Sequence, residues 1–301
     1  MNVLFLTLVS VNSVEDRGIY QDLLRKFRNE GHDVTIVTPV ERRTKIATNI
    51  VSSQGVRILQ VKTFNIQKTN IIEKGIGTLA IEQQYLLAIK KHLNGSCFDL
   101  VLYSTPPITF AKVIQYIKKR DNAYAYLLLK DIFPQNAVDM KMMRNGGFLH
   151  RLFLKKEKKL YELSDTIGCM SRANRNFVIK YNPEVNPDKV EINPNSIEPL
   201  QISCTDQEKV AIRKKYNLPI DKKILVYGGN LGKPQGLDFL LETIENCPID
   251  SAYFLIVGNG TEYDRIKKRF EIRKPHNASL FQGLPKADYD KLLMACDIGL
   301  I

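Results

Sequence analysis

Apolar runs alternate with amphipathic segments over the first two thirds of the chain. The runs have the length and composition of buried strands, and the segments between them repeat apolar residues at the spacing of one helix face. We predict strands at 2–9, 33–38, 56–61, 99–103, 124–130, 166–169 and 190–192, and helices at 18–30, 72–93, 108–120, 147–163 and 171–180. Strands that alternate with helices are typical of a parallel sheet whose faces are covered by helices.

A second unit of the same kind follows a break in this pattern. The break lies at NPNSIEP, residues 193–199, and a short helix is predicted after it at 205–217. Strands are then predicted at 223–228, 252–257, 278–281 and from Asp297 onward, with helices at 236–246, 261–271 and 286–295. We therefore predict two α/β domains, 1–198 and 199–301. Because an open parallel sheet needs a helix over each new strand, we expect the second domain to be incomplete at Ile301.

A glycine-rich turn opens the second domain. In KKILVYGGNLGKPQGLD, residues 222–238, an apolar strand leads directly into glycines and then into an amphipathic helix. Glycine lets the backbone approach a ligand closely, and the start of a helix offers unpaired N–H groups and the positive end of its dipole. This pattern predicts an anion site, with Lys233 as a nearby cation. The alternative is a tight turn with a solvated Lys233.

The charge balance indicates an acidic partner. The 301 residues include 44 Lys and Arg against 32 Asp and Glu, a net charge of +12. The densest basic block is HRLFLKKEKKLYEL, residues 150–163, where one side of the predicted helix is basic. Two interpretations of this side stay open, an ordinary solvated helix face and a surface that faces an anionic membrane. The predicted membrane-facing residues are Arg151, Lys155, Lys156, Lys158 and Lys159.

Several classes of protein are disfavoured by what the sequence lacks. MNVLFLTLVSVNS at the N-terminus has no basic region before its apolar run, so we interpret it as a strand. No run reaches the roughly 18 apolar residues of a membrane-spanning helix. The five cysteines form no CxxC pair and only four histidines are present, so we expect no protein-held metal and a reducing cytoplasm. Neither domain opens on GxGxxG, which argues against a nicotinamide dehydrogenase.

The order of several motifs resembles family 4 glycosyltransferases of the GT-B fold. LKDIFPQNAVDM, 129–140, is similar to a signature of the subgroup that builds bacterial O-antigens and capsules on a lipid carrier. The other matching blocks are RGIYQDLLRKFRNEGHDVTIVTP (17–39), YSTPPITF (103–110), SRANRNFVIKYN (171–182), KVEINPNSIEP (189–199), FLIVGNGTEYDRIKK (254–268) and FQGLPKADYDKLLMACDIGLI (281–301). Together they cover nearly the whole chain.

This resemblance implies an α/β protein with two Rossmann-like domains facing across a cleft. It implies transfer of a sugar from a nucleotide sugar, in this case a UDP-sugar, to a polyprenyl-linked sugar acceptor in cell-surface polysaccharide synthesis. It also implies that the anomeric configuration of the sugar is retained. The expected partners are these two substrates and an anionic membrane surface, without nucleic acid, cofactor or metal. The expected location is the cytoplasm, and a peripheral position on the inner face of the cell membrane is compatible with it.

The resemblance also implies where the donor would bind. The residues implied for the donor diphosphate are Gly229, Asn230, Gly232, Lys233 and Gln235, and those implied for the nucleotide are Gly258, Asn259, Gly260, Gly283 and Leu284. Asn230 and Gln235 stand where the family usually has Arg and Lys, so Lys233 would have to neutralise the leaving diphosphate. The family's pair of glutamates seven residues apart does not occur before Ile301, so we expect an incomplete donor site and an inactive isolated chain.

On the first domain, Lys130 and Asp131 are the predicted catalytic residues. They end the apolar strand AYAYLLL, and ligands meet open α/β sheets at the carboxyl ends of strands. Lys130 would bind a phosphate or a sugar hydroxyl, and Asp131 would accept a hydrogen bond. The alternative is an ion pair between these neighbours. The loop from Ser10 to Arg17 would face the same cleft.

Two other functions stay open at this point. A UDP-sugar 2-epimerase shares the architecture and would use paired carboxylates and a histidine for proton transfer. The four histidines, His32, His92, His150 and His276, form no convincing cleft motif and argue against it. A non-catalytic remnant or split subunit would bind a membrane or a partner chain through 150–163 and leave the chemistry to another protein.

Overall fold

The chain forms two compact units, Met1–Glu198 and Pro199–Ile301. The structure, a computed structural model, describes residues 1–65, 71–105, 107–199 and 203–301. Of residues 71–76, 78 and 79 it describes the backbone alone. Pro106 of the predicted turn at 103–110, and residues 200–202 of the polar stretch after the predicted break, lie outside the described residues.

The first unit contains a sheet of eight strands. These are β1 (Asn2–Leu6), β2 (Asp33–Glu41), β3 (Asn49–Ser53), β4 (Val56–Thr63), β5 (Leu100–Ser104), β6 (Tyr124–Leu129), β7 (Thr166–Cys169) and β8 (Val190–Ile192). Their order in the sheet is β3-β4-β2-β1-β5-β6-β7-β8. Only the β3–β4 pair among these described strands is antiparallel, so the sheet has the predicted parallel character.

Helices cover both faces of this sheet because its strands are apolar on both faces. The helices are α1 (Ile19–Asn29), α2 (Ile71–His92), α3 (Ala111–Asp121), α4 (Gln135–Asp139), α5 (Phe148–Leu163) and α6 (Arg172–Tyr181). Leu4 and Leu6 of β1 join one buried cluster and Phe5, between them, joins another. This is the alternation expected of a strand whose successive side chains point to opposite faces.

The second unit contains a smaller sheet. Its strands are β9 (Lys223–Asn230), β10 (Ala252–Asn259), β11 (Ala278–Gln282) and β12 (Ile298–Leu300), and its helices are α7 (Asp206–Lys215), α8 (Leu237–Glu245), α9 (Tyr263–Arg273) and α10 (Lys286–Met294). The order is β11-β10-β9-β12, with every described pair parallel. Two buried clusters again lie on opposite faces, with Phe254 in one and Leu255 in the other.

One buried arginine joins several elements of the second unit. The Arg213 guanidinium of α7 donates to the carbonyl oxygens of Ala295 at 2.9 Å and of Ile220 and Lys222 at 3.0 Å each, and to Asp297 at 2.8 Å. Burial opposes ionisation of Asp297, but the amide of Ile224 and the Arg213 charge outweigh it, so the pKa of Asp297 is lowered. This network fixes α7 and the residues before β9 and β12.

The structure differs from the predicted elements at a few boundaries. β1 ends at Leu6, whereas the strand was predicted to reach residue 9, and Val9 is exposed. β9 continues through two glycines to Asn230, two residues past its predicted end. The short elements β3 and α4 were not predicted.

Candidate functional site

The glycine-rich turn lies at the carboxyl end of β9, where the strand order of the second sheet reverses. Strands β10 and β11 extend the sheet on one side of β9, and β12 lies on the other side. Loops diverge at such a point and leave a crevice, which is where open α/β sheets bind ligands. A short 3-10 turn, Lys233–Gln235, follows the strand, and Gly236 has φ 61°, a conformation that glycine adopts without strain. The helix α8 begins at the next residue.

Two glycines of β10 and its following turn allow the backbone around β9 to pack closely. A Cβ on Gly258 would lie 2.0 Å from the carbonyl oxygen of Gly229, and one on Gly260 would lie 2.2 Å from that of Leu231. Neither atom can move without displacing the main chain. These positions therefore require glycine for packing, and no ligand is needed to explain them.

Asn259 joins the ends of three neighbouring strands. Its carbonyl oxygen accepts a hydrogen bond from the Leu231 amide at 2.9 Å, and its side-chain oxygen accepts one from the Gly283 amide at 3.2 Å. Leu284 is half-buried and packs against the core cluster that includes Val257. The structure thus brings the residues predicted for diphosphate and nucleotide to one edge of the sheet.

The ammonium group of Lys233 is accessible at this edge. The side chain is exposed, and it forms no ion pair with any residue in the described part of the chain. Two tyrosines that sequence reasoning missed shape the surroundings. The Tyr227 hydroxyl donates to the Asn230 carbonyl at 3.1 Å and lies 3.5 Å from the Gln235 side-chain oxygen, while Tyr289 lies against Gly228. Aromatic residues in a strand and a helix had suggested only core packing.

In the first unit, Lys130 and Asp131 follow β6 and are positioned by Thr105. The Thr105 hydroxyl accepts from the Lys130 amide and donates to the Asp131 carbonyl, each at 3.1 Å. Thr105 is 1% exposed, so this connection between the ends of β5 and β6 is shielded from water. Threonine after a strand is ordinary, so this connection could not be predicted from the residue type.

Lys130 and Asp131 do not form the ion pair that was the alternative interpretation. Lys130 is half-buried and Asp131 is more exposed, and no contact within ion-pair distance joins them among the described residues. Loss of water lowers the pKa of Lys130 and raises the pKa of Asp131. Burial also raises the pKa of Tyr20, a further missed residue, with a hydrogen bond to Ser104 opposing the shift and the Asp131 charge adding to it.

One guanidinium contributes several of the contacts that hold the loop from Ser10 to Arg17. Arg25 of α1 donates to the carbonyl oxygens of Val14 and Asp16 and also to Glu198 Oε2, at 2.7 and 3.0 Å. A cavity of about 290 Å³ opens beside the loop. Its lining includes Ser10, Asn12, Glu41, Arg43 and Thr44. This cavity presents polar groups suited to hydroxyl-bearing ligands at the carboxyl ends of β1 and β2.

The basic helix predicted at 147–163 is α5. Arg151, Lys155 and Lys158 are exposed, whereas Lys156 and Lys159 are half-buried. Lys158 pairs with Glu184 at 2.8 Å and Lys159 with Glu162 at 2.9 Å, so two of the five predicted positions are already neutralised. Within the described residues, none of the helices has the length and hydrophobicity needed to cross a membrane.

Comparison with known proteins gives a family match in the second unit. Residues 208–301 match the family model described as Glycosyl transferases group 1. The chain is 23% identical over 300 residues to WbjE of Pseudomonas aeruginosa, named as a glycosyltransferase, across 97% of this chain and 71% of WbjE. It is 26% identical over 227 residues to WcaI of Escherichia coli K12, named for colanic acid biosynthesis, across 74% of this chain and 54% of WcaI.

Solved structures show the same fold at low sequence identity. The Anabaena protein HepE in complex with UDP and glucose has a TM-score of 0.67 at 11% identity, over 99% of this chain and 73% of HepE. WaaG, a glycosyltransferase involved in lipopolysaccharide biosynthesis, has a TM-score of 0.64 at 15% identity, over 99% of this chain and 74% of WaaG. The predicted GT-B fold and the glycosyltransferase resemblance are confirmed.

Proposed function

Since residues 208–301 form a group 1 glycosyltransferase domain, we propose that this chain transfers a sugar from a UDP-sugar to a lipid-linked acceptor in cell-surface polysaccharide synthesis. The observation that carries the proposal is Lys233, which is exposed and has no ion-pair partner among the described residues, within a glycine-rich turn at the reversal point of the second sheet. The names of WcaI and WaaG support a polysaccharide or lipopolysaccharide product, and UDP bound to HepE supports the nucleotide.

On the donor side, the turn from Gly229 to Gln235 holds the diphosphate. The first amides of α8 lack acceptors within the helix, and they contribute hydrogen bonds together with the positive end of the helix dipole. Negative charge grows on the leaving diphosphate as the bond to the sugar breaks. Lys233 neutralises that charge, which is the kind of electrostatic stabilisation that dominates such reactions. The nucleotide lies by Gly258, Asn259, Gly260, Gly283 and Leu284.

On the acceptor side, Lys130 and Asp131 orient the incoming hydroxyl. Burial raises the pKa of Asp131, which makes its carboxylate a better proton acceptor than an ordinary aspartate. Lys130 binds a phosphate or sugar oxygen of the polyprenyl-linked acceptor. We further propose a retaining outcome and no metal requirement, which NMR of the anomeric product and transfer in the presence of EDTA would test.

The chain also contacts an anionic membrane surface in this proposal, as a cytoplasmic protein with a peripheral attachment. A lipid-linked acceptor is confined to the membrane, so a transferase that docks there meets its substrate directly. The basic residues of α5, Arg151, Lys155, Lys156, Lys158 and Lys159, supply the attraction to acidic lipids.

Binding of UDP to the Lys233→Gln variant tests the donor site. We expect its Kd, measured by isothermal titration calorimetry, to be about tenfold higher than that of the unmodified chain, because a charge-assisted hydrogen bond is worth about 1.5–3 kcal/mol. Lys267→Gln is the matched control, since Lys267 is also exposed and unpaired among the described residues of the same unit. Equal UDP affinity of all three proteins would refute the proposed diphosphate contact.

Sugar transfer is measured separately with a panel of labelled UDP-sugars and a polyprenyl diphosphate-linked acceptor. We expect any transfer that the unmodified chain supports to fall in Lys130→Gln and Asp131→Asn while UDP affinity is unchanged. Transfer that is insensitive to both substitutions would contradict the acceptor assignment and leave the donor assignment standing.

A further inference from the structure

The segment 140–149 exposes an unusual number of large apolar side chains. Met142 is 76% exposed, Phe148 83% and Leu149 56%, and Met140 is exposed as well. They lie in the connection from α4 to α5 and in the first turn of α5. Single exposed apolar residues are common, but such a cluster on a soluble surface marks an interaction site.

The backbone of this segment is fixed, so the exposure is built into the fold. The amides of Met142 and Met143 both donate to the Ala137 carbonyl at the end of α4, at 2.9 and 3.1 Å. At the other end of the turn, the Gly146 amide donates to Nδ1 of His150, which is 9% exposed. These bonds hold the main chain from which the apolar side chains extend.

The charge around the segment has one sign. Between Asp139 and Glu157 the sequence contains no carboxylate, and its basic residues are Lys141, Arg144, Arg151, Lys155 and Lys156. None of these five forms an ion pair within the described residues. Lys158 and Lys159, further along α5, do have carboxylate partners. Among the described residues of this segment and of α5, the basic side chains without an ion-pair partner are therefore those nearest in sequence to the exposed apolar side chains.

We propose that Met142, Phe148 and Leu149 insert into the surface of an anionic lipid bilayer while the surrounding basic residues bind its headgroups. Apolar side chains at the tip of a basic rim are the combination that gives interfacial binding, since burial in the acyl boundary and attraction to acidic lipids add together. This inference rests on the membrane contact proposed above and extends it from the basic residues of α5 to the apolar side chains at the start of that helix and just before it. Lys130 and Asp131 lie only a few residues before α4, so docking through 140–149 brings the proposed acceptor site to the membrane.

The absence of tryptophan from the chain allows a direct test. In Phe148→Trp the new indole is the only one, and we expect its emission to shift to the blue with vesicles of phosphatidylcholine and phosphatidylglycerol and to be quenched by bromine-labelled acyl chains. Phe239→Trp is the matched control, because Phe239 is 78% exposed and lies in the other unit, and we expect no shift there. The double variant Phe148→Ser, Leu149→Ser should bind these vesicles about tenfold more weakly with unchanged UDP affinity.

The outcomes separate this inference from the proposed function. The chain could bind vesicles with no shift in the emission of Phe148→Trp and no loss of affinity in the double serine variant. That result would mean attachment by charge alone, and it would overturn the inference but not the membrane contact. No binding of the unmodified chain to anionic vesicles would overturn both, while the UDP measurement stands apart. If circular dichroism shows that the double serine variant is unfolded, the tryptophan reporter decides.

Discussion

Replacing Gly258 by alanine would place a methyl group 2.0 Å from the Gly229 carbonyl oxygen and 3.1 Å from Leu231 Cγ. Side-chain Cβ atoms in proteins essentially never come closer than 3.0 Å to another heavy atom, so β9 and β10 would have to separate by about 1 Å at this point. The Leu231 amide is 2.9 Å from the Asn259 carbonyl oxygen one residue further on, and a similar displacement would break that hydrogen bond.

The expected destabilisation combines three contributions. Overpacking of this kind costs about 1–3 kcal/mol, and the lost hydrogen bond costs about 0.5–1.5 kcal/mol. Alanine recovers roughly 0.5–1 kcal/mol because it restricts the unfolded chain more than glycine does. We therefore expect the free energy of unfolding to fall by about 2 kcal/mol in Gly258→Ala, with faster hydrogen exchange at the Leu231 amide and weaker UDP binding.

Urea denaturation followed by circular dichroism measures the change, with Gly299→Ala as the control. Gly299 lies in β12 of the same sheet, and a Cβ there would meet no heavy atom of the described residues within 4 Å. We expect the control to stay within about 0.5 kcal/mol of the unmodified chain. Equal unfolding midpoints for Gly258→Ala and Gly299→Ala would refute the close-packing argument.

Two further predictions concern buried charged groups. Burial raises the pKa of Glu157 from 4.5 to about 7, and the hydrogen bond from the Tyr161 hydroxyl opposes the shift. The folded state therefore holds this proton more tightly than the unfolded state does. The resulting stabilisation should be fully present below about pH 4.5 and should decline toward pH 7. In Glu157→Gln we expect this decline in the free energy of unfolding, on the order of 2–3 kcal/mol, to be absent from urea midpoints measured between pH 4.5 and 8. A pH dependence equal to that of the unmodified chain would contradict the prediction. Arg213→Met should lower the free energy of unfolding by about 3–5 kcal/mol, because it leaves several carbonyl oxygens without this donor and removes the buried charge that pairs with Asp297. A loss below about 1 kcal/mol in the same assay would show that the network is not needed.

The parallel strands were predictable because they are apolar on both faces. Runs such as Val3–Leu6 and Leu100–Tyr103 carry a signal that survives without knowledge of the partners. The strand β3, Asn49–Ser53, gives no such signal, because it is a short edge strand with largely exposed side chains and two serines. The helix α4 is five residues long, which is too short to display a helical period.

The candidate site was predictable only where glycine and lysine stand beside a strand end. The glycines at 258 and 260 were predicted to lie near a ligand. The structure shows that glycine is needed there because the backbone packs against carbonyl groups about 30 residues away, which the sequence does not reveal. Thr105 and Tyr20 were missed for the same reason. Their importance comes from neighbours on other strands and helices, and neither residue type is unusual at its own position.

Asn259 has a thermodynamic consequence for whatever binds at this edge of the second sheet. Because its carbonyl and its side chain tie the loops after β9 and β11 to the end of β10, these loops are ordered before any ligand arrives. A preorganised site loses little conformational entropy on association. Ligand binding here should therefore be nearly insensitive to agents that stiffen loops. Asn259→Ala keeps the main-chain bond from Leu231 but removes the side-chain bond from Gly283, so it should make the entropy of binding less favourable.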